Sequence, residues 1–201
     1  LIGIEILVVC TGNTCRSPMA AALLHDAFSG AGMPLVRARS VGTLGWSGRP
    51  ATSSAVDALA EIGVDLSAHI STKLSGADIA SADIVLAMTR VHAGAVLAHD
   101  PAAAERTFLL PELARLASRL GAPSPDEPIR TWAGRAAASR PRPVPIGRAG
   151  DEIDDPAGHP IEVYRATRDL LRRHIETLVR EWAGQAVVAS STDGSSAVGA
   201  V

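Results

Sequence analysis

Apolar runs in this chain are short, and each strand-like run is followed by a helical one. Ile2–Val9 is an Ile- and Val-rich stretch ended by Cys10-Thr11-Gly12-Asn13, the profile of a buried strand. From Ser17 the spacing turns helical, with Met19, Leu23, Leu24 and Phe28 at i, i+4, i+5 and i+9 and Gly30 and Gly32 marking the end. Val36–Val41 predicts a second strand. Thr52–Ile62 predicts a helix through Val56, Leu59 and Ile62, stopped at Gly63. Asp83–Met88 is a third strand and His92–Leu97 opens the helix after it. Thr107–Leu110 is a short fourth strand, and Pro111–Leu120 a helix entered through proline. Strands alternating with helices predict an α/β fold with a parallel sheet covered on both faces. Ligands of such sheets bind beyond the carboxyl ends of the strands, which is where residues 10–17 fall.

The pattern breaks at 121–150. This stretch holds Pro123, Pro125, Pro128, Pro141, Pro143 and Pro145, several Arg and little apolar periodicity, so it reads as a long, partly mobile insertion with at most a helical turn at Ala133–Ala138. Pro160–Trp182 is then strongly amphipathic, with Val163, Ala166, Leu170, Ile175, Leu178 and Trp182 on or near one face. The Ser-, Gly- and Ala-rich tail from Gln185 reads as disordered. The organisation expected is one domain over 1–184 that carries the insertion, then the tail at 185–201.

Composition narrows the function classes. The chain has 201 residues, 47% hydrophobic and 20% charged, and a formal charge of -2, so it has no basic footprint for nucleic acid or an anionic membrane. Its two cysteines, Cys10 and Cys15, are too few and too close together for a secreted disulfide scaffold. The apolar start is too short to span a membrane and runs into Cys-Thr-Gly-Asn rather than a cleavage site. A reducing cytoplasm is the expected compartment. The first residue is Leu rather than Met, and the expectation is that a residue or two has been trimmed.

The chemistry concentrates in Cys10-Thr11-Gly12-Asn13-Thr14-Cys15-Arg16-Ser17-Pro18, between a strand and a helix. Backbone N–H groups in a tight loop feeding a helix N-terminus cradle a tetrahedral anion. Gly12 and Asn13 are residue types that tolerate positive φ, and Pro18 suits a first helical turn. The loop's donors and the helix dipole stabilise a thiolate at its foot. Arg16 supplies a planar fork for two phosphoryl oxygens, and Ser17 can donate to the sulfur.

This motif resembles the signature of low-molecular-weight protein tyrosine phosphatases, which carry it at the N-terminus after the first strand. The resemblance continues through Ser40-Val41-Gly42-Thr43, Trp46, Pro50-Ala51, Asp65-Leu66-Ser67-Ala68-His69, Ala82–Met88 and Asp155-Pro156, and covers roughly residues 2–120 and 151–182. It implies a three-layer, flavodoxin-like sandwich around a four-stranded parallel sheet and a phosphocysteine mechanism without a cofactor or metal. By position, Cys10 is the nucleophile, Arg16 the phosphate clamp and Asp155 the general acid and base, with Asp151, Glu152 and Asp154 as neighbouring competitors. The amides of Thr11, Gly12, Asn13, Thr14, Cys15, Arg16 and Ser17 would hold the phosphate. Asn13, Ser17, Ser40 and His69 would support the loop, and Trp46 would wall the pocket. Cys15 is either a redox partner for Cys10 or a small packed side chain.

The chain departs from the family pattern in three places. Ala157 and Gly158 stand where the family places aromatics after Asp-Pro; the insertion contributes Trp132, which could fold over the site in their stead; and Ile70 follows His69 where a basic residue is common. The expected substrate is a phosphorylated protein, phosphotyrosine first. Phosphoarginine is the alternative, because phosphoarginine members of the family tend to carry Thr where Thr14 stands. A non-catalytic phosphate-loop binder is the rival of another class. Arsenate reduction is disfavoured, since no cysteine lies beyond Cys15 to relay a disulfide.

Overall fold

The computed structural model describes residues 3–44, 46–141 and 146–192. Strands β1 (Ile4–Cys10), β2 (Val36–Gly42), β3 (Ile84–Ala87) and β4 (Thr107–Leu109) form one sheet in the order β2-β1-β3-β4, with every pairing parallel. Between them run α1 (Arg16–Gly30), α2 (Ser53–Ala60), α3 (Gly76–Ser81) and α4 (Arg90–His99), followed by α5 (Leu110–Leu120), α6 (Ile129–Ala138) and α7 (Ile161–Thr192). This is the expected α/β sandwich.

Alternation along β1 sorts the layers. Ile6, Val8 and Cys10 join Met19, Leu24 and Phe28 of α1, Leu113 of α5 and Leu171 and Ile175 of α7 in the larger core cluster. Leu7 and Val9 point to the other face, against Ile79 of α3 and Val96 of α4. Both faces are dry, which is why β1 reads as an unbroken apolar run. The chain leaves β1 for β2 on one side and β3 on the other. The sheet's switch point therefore lies between the carboxyl ends of β1 and β3.

The 121–150 stretch corrects the sequence reading. It carries α6, a full helix, and Trp132 is 0% exposed in the main core, edge-on to Trp182 at 5.3 Å with its Nε1 donating to Gly121 O at 3.0 Å. Trp132 therefore does not cover the Cys10 loop. The misleading cues were proline and arginine. Pro128 caps α6, and Ala133 and Ala136 allow its close approach. The arginines each have a place: Arg130 on Asp83, Arg135 on Glu127, and Arg140 on buried Glu112 and over the Phe108 ring at 4.5 Å. Residues 142–145 of the expected insertion lie outside the described residues. The last helix also runs past the expected end at Trp182, to Thr192, so 185–192 are helical rather than part of a disordered tail. Residues 193–201 lie outside the described residues.

Candidate active site

The turn from β1 into α1 folds so that its carbonyls face outward. Cys10 O accepts from Thr43 N, Thr11 O from Leu44 N and Thr14 O from Thr52 N, all at 2.9 Å, and Asn13 O accepts from His69 Nε2 at 2.7 Å. A carbonyl can only accept, so the His69 Nε2 carries the proton. With the carbonyls tied outward, the N–H groups of Gly12, Thr14 and Cys15 donate to no protein acceptor among the described residues. The free N–H groups of the first turn of α1 lie directly after them. Inward-facing amides at a helix N-terminus suit an oxyanion.

Asn13 is the hub of the loop. Its φ of 54° puts it in the left-handed region, where asparagine is among the few tolerated side chains. The Asn13 carboxamide is fully used: Nδ2 donates to Ser17 Oγ at 3.0 Å and Ser40 Oγ at 2.8 Å, and Oδ1 accepts from Thr72 N at 2.8 Å. Because Thr72 N–H can only donate, the amide orientation is fixed. Asn13, Ser17, Ser40 and His69 are thus brought together as one network.

Gly12 is glycine for a different reason than expected. It does not adopt positive φ; instead, a Cβ there would lie 2.7 Å from the Trp46 indole. The ring sits on the loop, 49% exposed, with Arg49 above it at 5.9 Å. Gly42 carries a comparable demand that sequence reasoning passed over. Its Cβ would meet Thr11 O at 2.7 Å and Asn13 N at 3.0 Å, so β2 and the loop pack backbone on backbone.

Cys10 closes β1 at 2% exposure, with its sulfur 3.0 Å from Ser17 Oγ and 3.3 Å from the donating N–H of Asn13. Ser17 has one proton and two acceptors in reach, this sulfur and Val41 O at 3.3 Å. A thiolate takes the proton as the stronger acceptor. Cys15 is a free buried thiol like Cys10, but its sulfur lies among Thr52 Oγ1 at 3.4 Å, Thr14 Oγ1 at 3.7 Å and Tyr164 OH at 3.8 Å. Burial pushes the Tyr164 hydroxyl's pKa up, so it remains a neutral donor there.

Arg16 is 4% exposed, and its guanidinium joins the loop to the segment before α7. NH1 donates to Ile153 O at 3.2 Å, while NH2 reaches Thr11 Oγ1 at 3.4 Å and forms an ion pair with Asp155. Its Nε is buried and has no partner among the described residues. Unpaired buried donors are expensive, and an oxyanion in the cradle is the natural acceptor.

Of the other carboxylates near Asp155, Asp154 is exposed to solvent, while Asp151 and Glu152 are occupied. Asp151 is buried, takes both Arg115 nitrogens at 2.6 and 2.8 Å and accepts from Arg148 N at 2.7 Å, while Glu152 accepts from the backbone and guanidinium of Arg90. Both are held below the usual carboxylate range, Asp151 against burial by its hydrogen bond to Arg115 and Glu152 by the Arg90 N–H. Asp151 and Glu152 thus brace the loop. Asp155 alone of this group reaches Arg16. Ala157 and Gly158 follow it with no ring, and Ile70 is exposed on the strand-like bridge to Pro50.

Sequence reasoning missed His92, which read only as the start of a helix. It is 4% exposed, with Nε2 2.8 Å from Thr11 Oγ1 and Nδ1 2.8 Å from Thr89 Oγ1. Burial, then the positive charge of Arg16, lowers its pKa to about 4, so the ring is neutral near pH 7. Nothing in the local pattern marks it, because the contact joins residues 81 positions apart. Among the described residues no helix is long and apolar enough to cross a membrane, and no His/Cys/Asp/Glu group is placed to hold a metal.

Residues 5–126 match the low molecular weight phosphotyrosine protein phosphatase family. A protein-arginine-phosphatase of Geobacillus stearothermophilus is 36% identical over 177 residues, which are 88% of this chain and 95% of that protein. A probable low molecular weight protein-tyrosine-phosphatase of Ralstonia solanacearum, EpsP, is 41% identical over 108 residues, 54% of this chain and 71% of that one. The crystal structure of a YwlE mutant from Bacillus subtilis superposes with a TM-score of 0.67 at 29% identity, covering 89% of this chain and 97% of the other. The chain belongs to the low-molecular-weight phosphotyrosine protein phosphatase family.

Proposed function

We propose that this protein removes phosphoryl groups from protein side chains through a phosphocysteine at Cys10, with phosphoarginine as the favoured substrate. The observation that carries the chemistry is Arg16, buried with an unpartnered Nε, beside a loop of inward-facing amides and a sulfur held by Ser17. In this reading the phosphoryl group sits on the loop amides and Arg16. The Cys10 thiolate attacks phosphorus in line, the S–P bond forms, and the bond to the leaving nitrogen or oxygen breaks as Asp155 gives it a proton. Water then attacks the phosphocysteine, its proton returns to Asp155, and the thiolate leaves with inorganic phosphate free.

Two observations favour phosphoarginine over the phosphotyrosine first expected. The arginine-phosphatase relative aligns over 88% of the chain, whereas the tyrosine-phosphatase relative aligns over 54%. No ring follows Asp155-Pro156, so a phenyl group loses a stacking partner worth about 0.5–1.5 kcal/mol. Thr14, at the position that pointed to phosphoarginine from sequence, lies in the loop with its Oγ1 beside Cys15. The phosphotyrosine reading keeps one support, the half-exposed Trp46 indole on Gly12, a flat face for a phenyl ring.

Phosphate release from matched phosphoarginine and phosphotyrosine peptides separates the two. Faster release from phosphoarginine is expected; the reverse order assigns the protein to phosphotyrosine. If phosphate binds but neither peptide nor p-nitrophenyl phosphate turns over, the protein is a binder and the reading fails.

A further inference from the structure

At the sheet's switch point a partly buried chain of side chains runs from the start of α4 to the clamp. Thr89 Oγ1 accepts from His92 N–H at 3.4 Å as the cap of α4, and the same oxygen lies 2.8 Å from His92 Nδ1. His92 Nε2 meets Thr11 Oγ1 at 2.8 Å, and Thr11 Oγ1 accepts from Arg16 NH2 at 3.4 Å. The loop after β1 is thereby tied to the loop after β3 through one imidazole.

We propose that His92 is a positioning residue for Arg16, acting through Thr11. This rests on the reading of Arg16 as the phosphoryl clamp. The guanidinium has three anchors: Ile153 O, the Asp155 carboxylate and Thr11 Oγ1. Asp155 must leave Arg16 to deliver its proton, and at that moment Thr11 is the remaining side-chain anchor on NH2. A threonine hydroxyl alone can rotate away. Bound to His92 it cannot do so without breaking a part-buried 2.8 Å hydrogen bond. The two hydroxyls leave a consistent proton count. With Thr89 donating to Nδ1, the Nε2 proton goes to Thr11 Oγ1, which accepts from His92 and Arg16 together. A cationic ring would add a second positive charge beside Arg16, and the burial of His92 opposes that.

Because the brace is needed most after Asp155 moves, its loss falls on kcat more than on KM. Thr11→Val and His92→Ala should each lower kcat on p-nitrophenyl phosphate roughly ten-fold, the scale of one hydrogen bond to a charged group. The double variant should be no slower than Thr11→Val alone, since both remove one link. His92→Gln places its amide near the Nε2 position and should recover much of the rate. His92→Asn, which reaches only the Nδ1 position, should not. If His92→Ala does not fold, the comparison of Gln and Asn with Thr11→Val decides alone. A histidine that merely fills space would lower the melting temperature and leave kcat of the folded enzyme unchanged. That result overturns the proposal, as would additive losses in the double variant or equal rates for Gln and Asn. Wild-type protein without turnover would sink the phosphatase reading itself, a distinct outcome.

Discussion

Arg16 and Asp155 are joined as an ion pair, the first almost wholly buried and the second with its side chain 45% exposed. The clamp and the acid of the proposed reaction therefore hold each other in this structure, and a phosphoryl group entering the loop competes with Asp155 for Arg16. Replacing Asp155 by Asn should have two opposite effects. Turnover should fall by about 10²–10⁴-fold, the usual contribution of a positioned acid and base. Product phosphate should bind more tightly, up to about five-fold, because a half-exposed ion pair worth up to about 1 kcal/mol no longer opposes it. Steady-state kinetics with phosphate as inhibitor measure both, and weaker phosphate binding in the variant would contradict this competition.

The contact between Gly12 and Trp46 predicts a rescue. Gly12→Ala puts a methyl group 2.7 Å from the indole, so either the ring swings off the loop or the loop shifts. The variant should lose activity, and adding Trp46→Ala should restore phosphate affinity, because no backbone blocks the new Cβ. Gly42→Ala should not be rescued by any side-chain change, since its Cβ meets Thr11 O and Asn13 N. Phosphate binding and thermal melting of the three variants check this.

Removal of the Asn13 carboxamide takes one partner each from Ser17 Oγ, Ser40 Oγ and the Thr72 N–H. Asn13→Ala should destabilise the fold by about 1–3 kcal/mol, since Ser17 keeps Cys10 Sγ and Val41 O while the part-buried bonds to Ser40 and Thr72 are lost. The left-handed φ adds strain of about 1–2 kcal/mol for a residue with a Cβ. Asn13→Gly removes the strain alone and should fall between wild type and Asn13→Ala in denaturant melts.

His92 sets a pH signature on stability. Its folded pKa, about 4, lies below the unfolded value near 6.5, so the unfolded chain binds the proton first as pH falls. The contribution of the neutral ring is complete above pH 6.5 and declines down to about 4. The charged groups that bear on it are Arg16, which depresses its pKa, and Asp155 and Glu152, which raise it. Denaturant melts from pH 7 to 4 should show stability falling, and His92→Gln should flatten that slope.

The sheet and the loop were legible in sequence because both are local. Buried parallel strands write themselves as Ile/Val runs, and the anion cradle needs only consecutive residues from Cys10 to Ser17. The site's supports were legible only by resemblance, as with His69 and Ser40, since their contacts cross 56 and 27 positions. His92 had neither cue. The α6 region failed for another reason. Proline and arginine look like loop chemistry until their partners are known. Pro128 starts a helix there, and Arg130, Arg135 and Arg140 pair with carboxylates whose proximity only the fold determines.

The central claim is that Cys10 becomes phosphorylated during turnover. Acid quench of the enzyme mixed with excess p-nitrophenyl phosphate, followed by peptide mass spectrometry, reads it directly. The account predicts a phosphoryl group on Cys10, absent from Cys15, accumulating further in Asp155→Asn and lost with all turnover in Cys10→Ser. Turnover that survives in Cys10→Ser, or a phosphoryl group found on Cys15 instead, would contradict it.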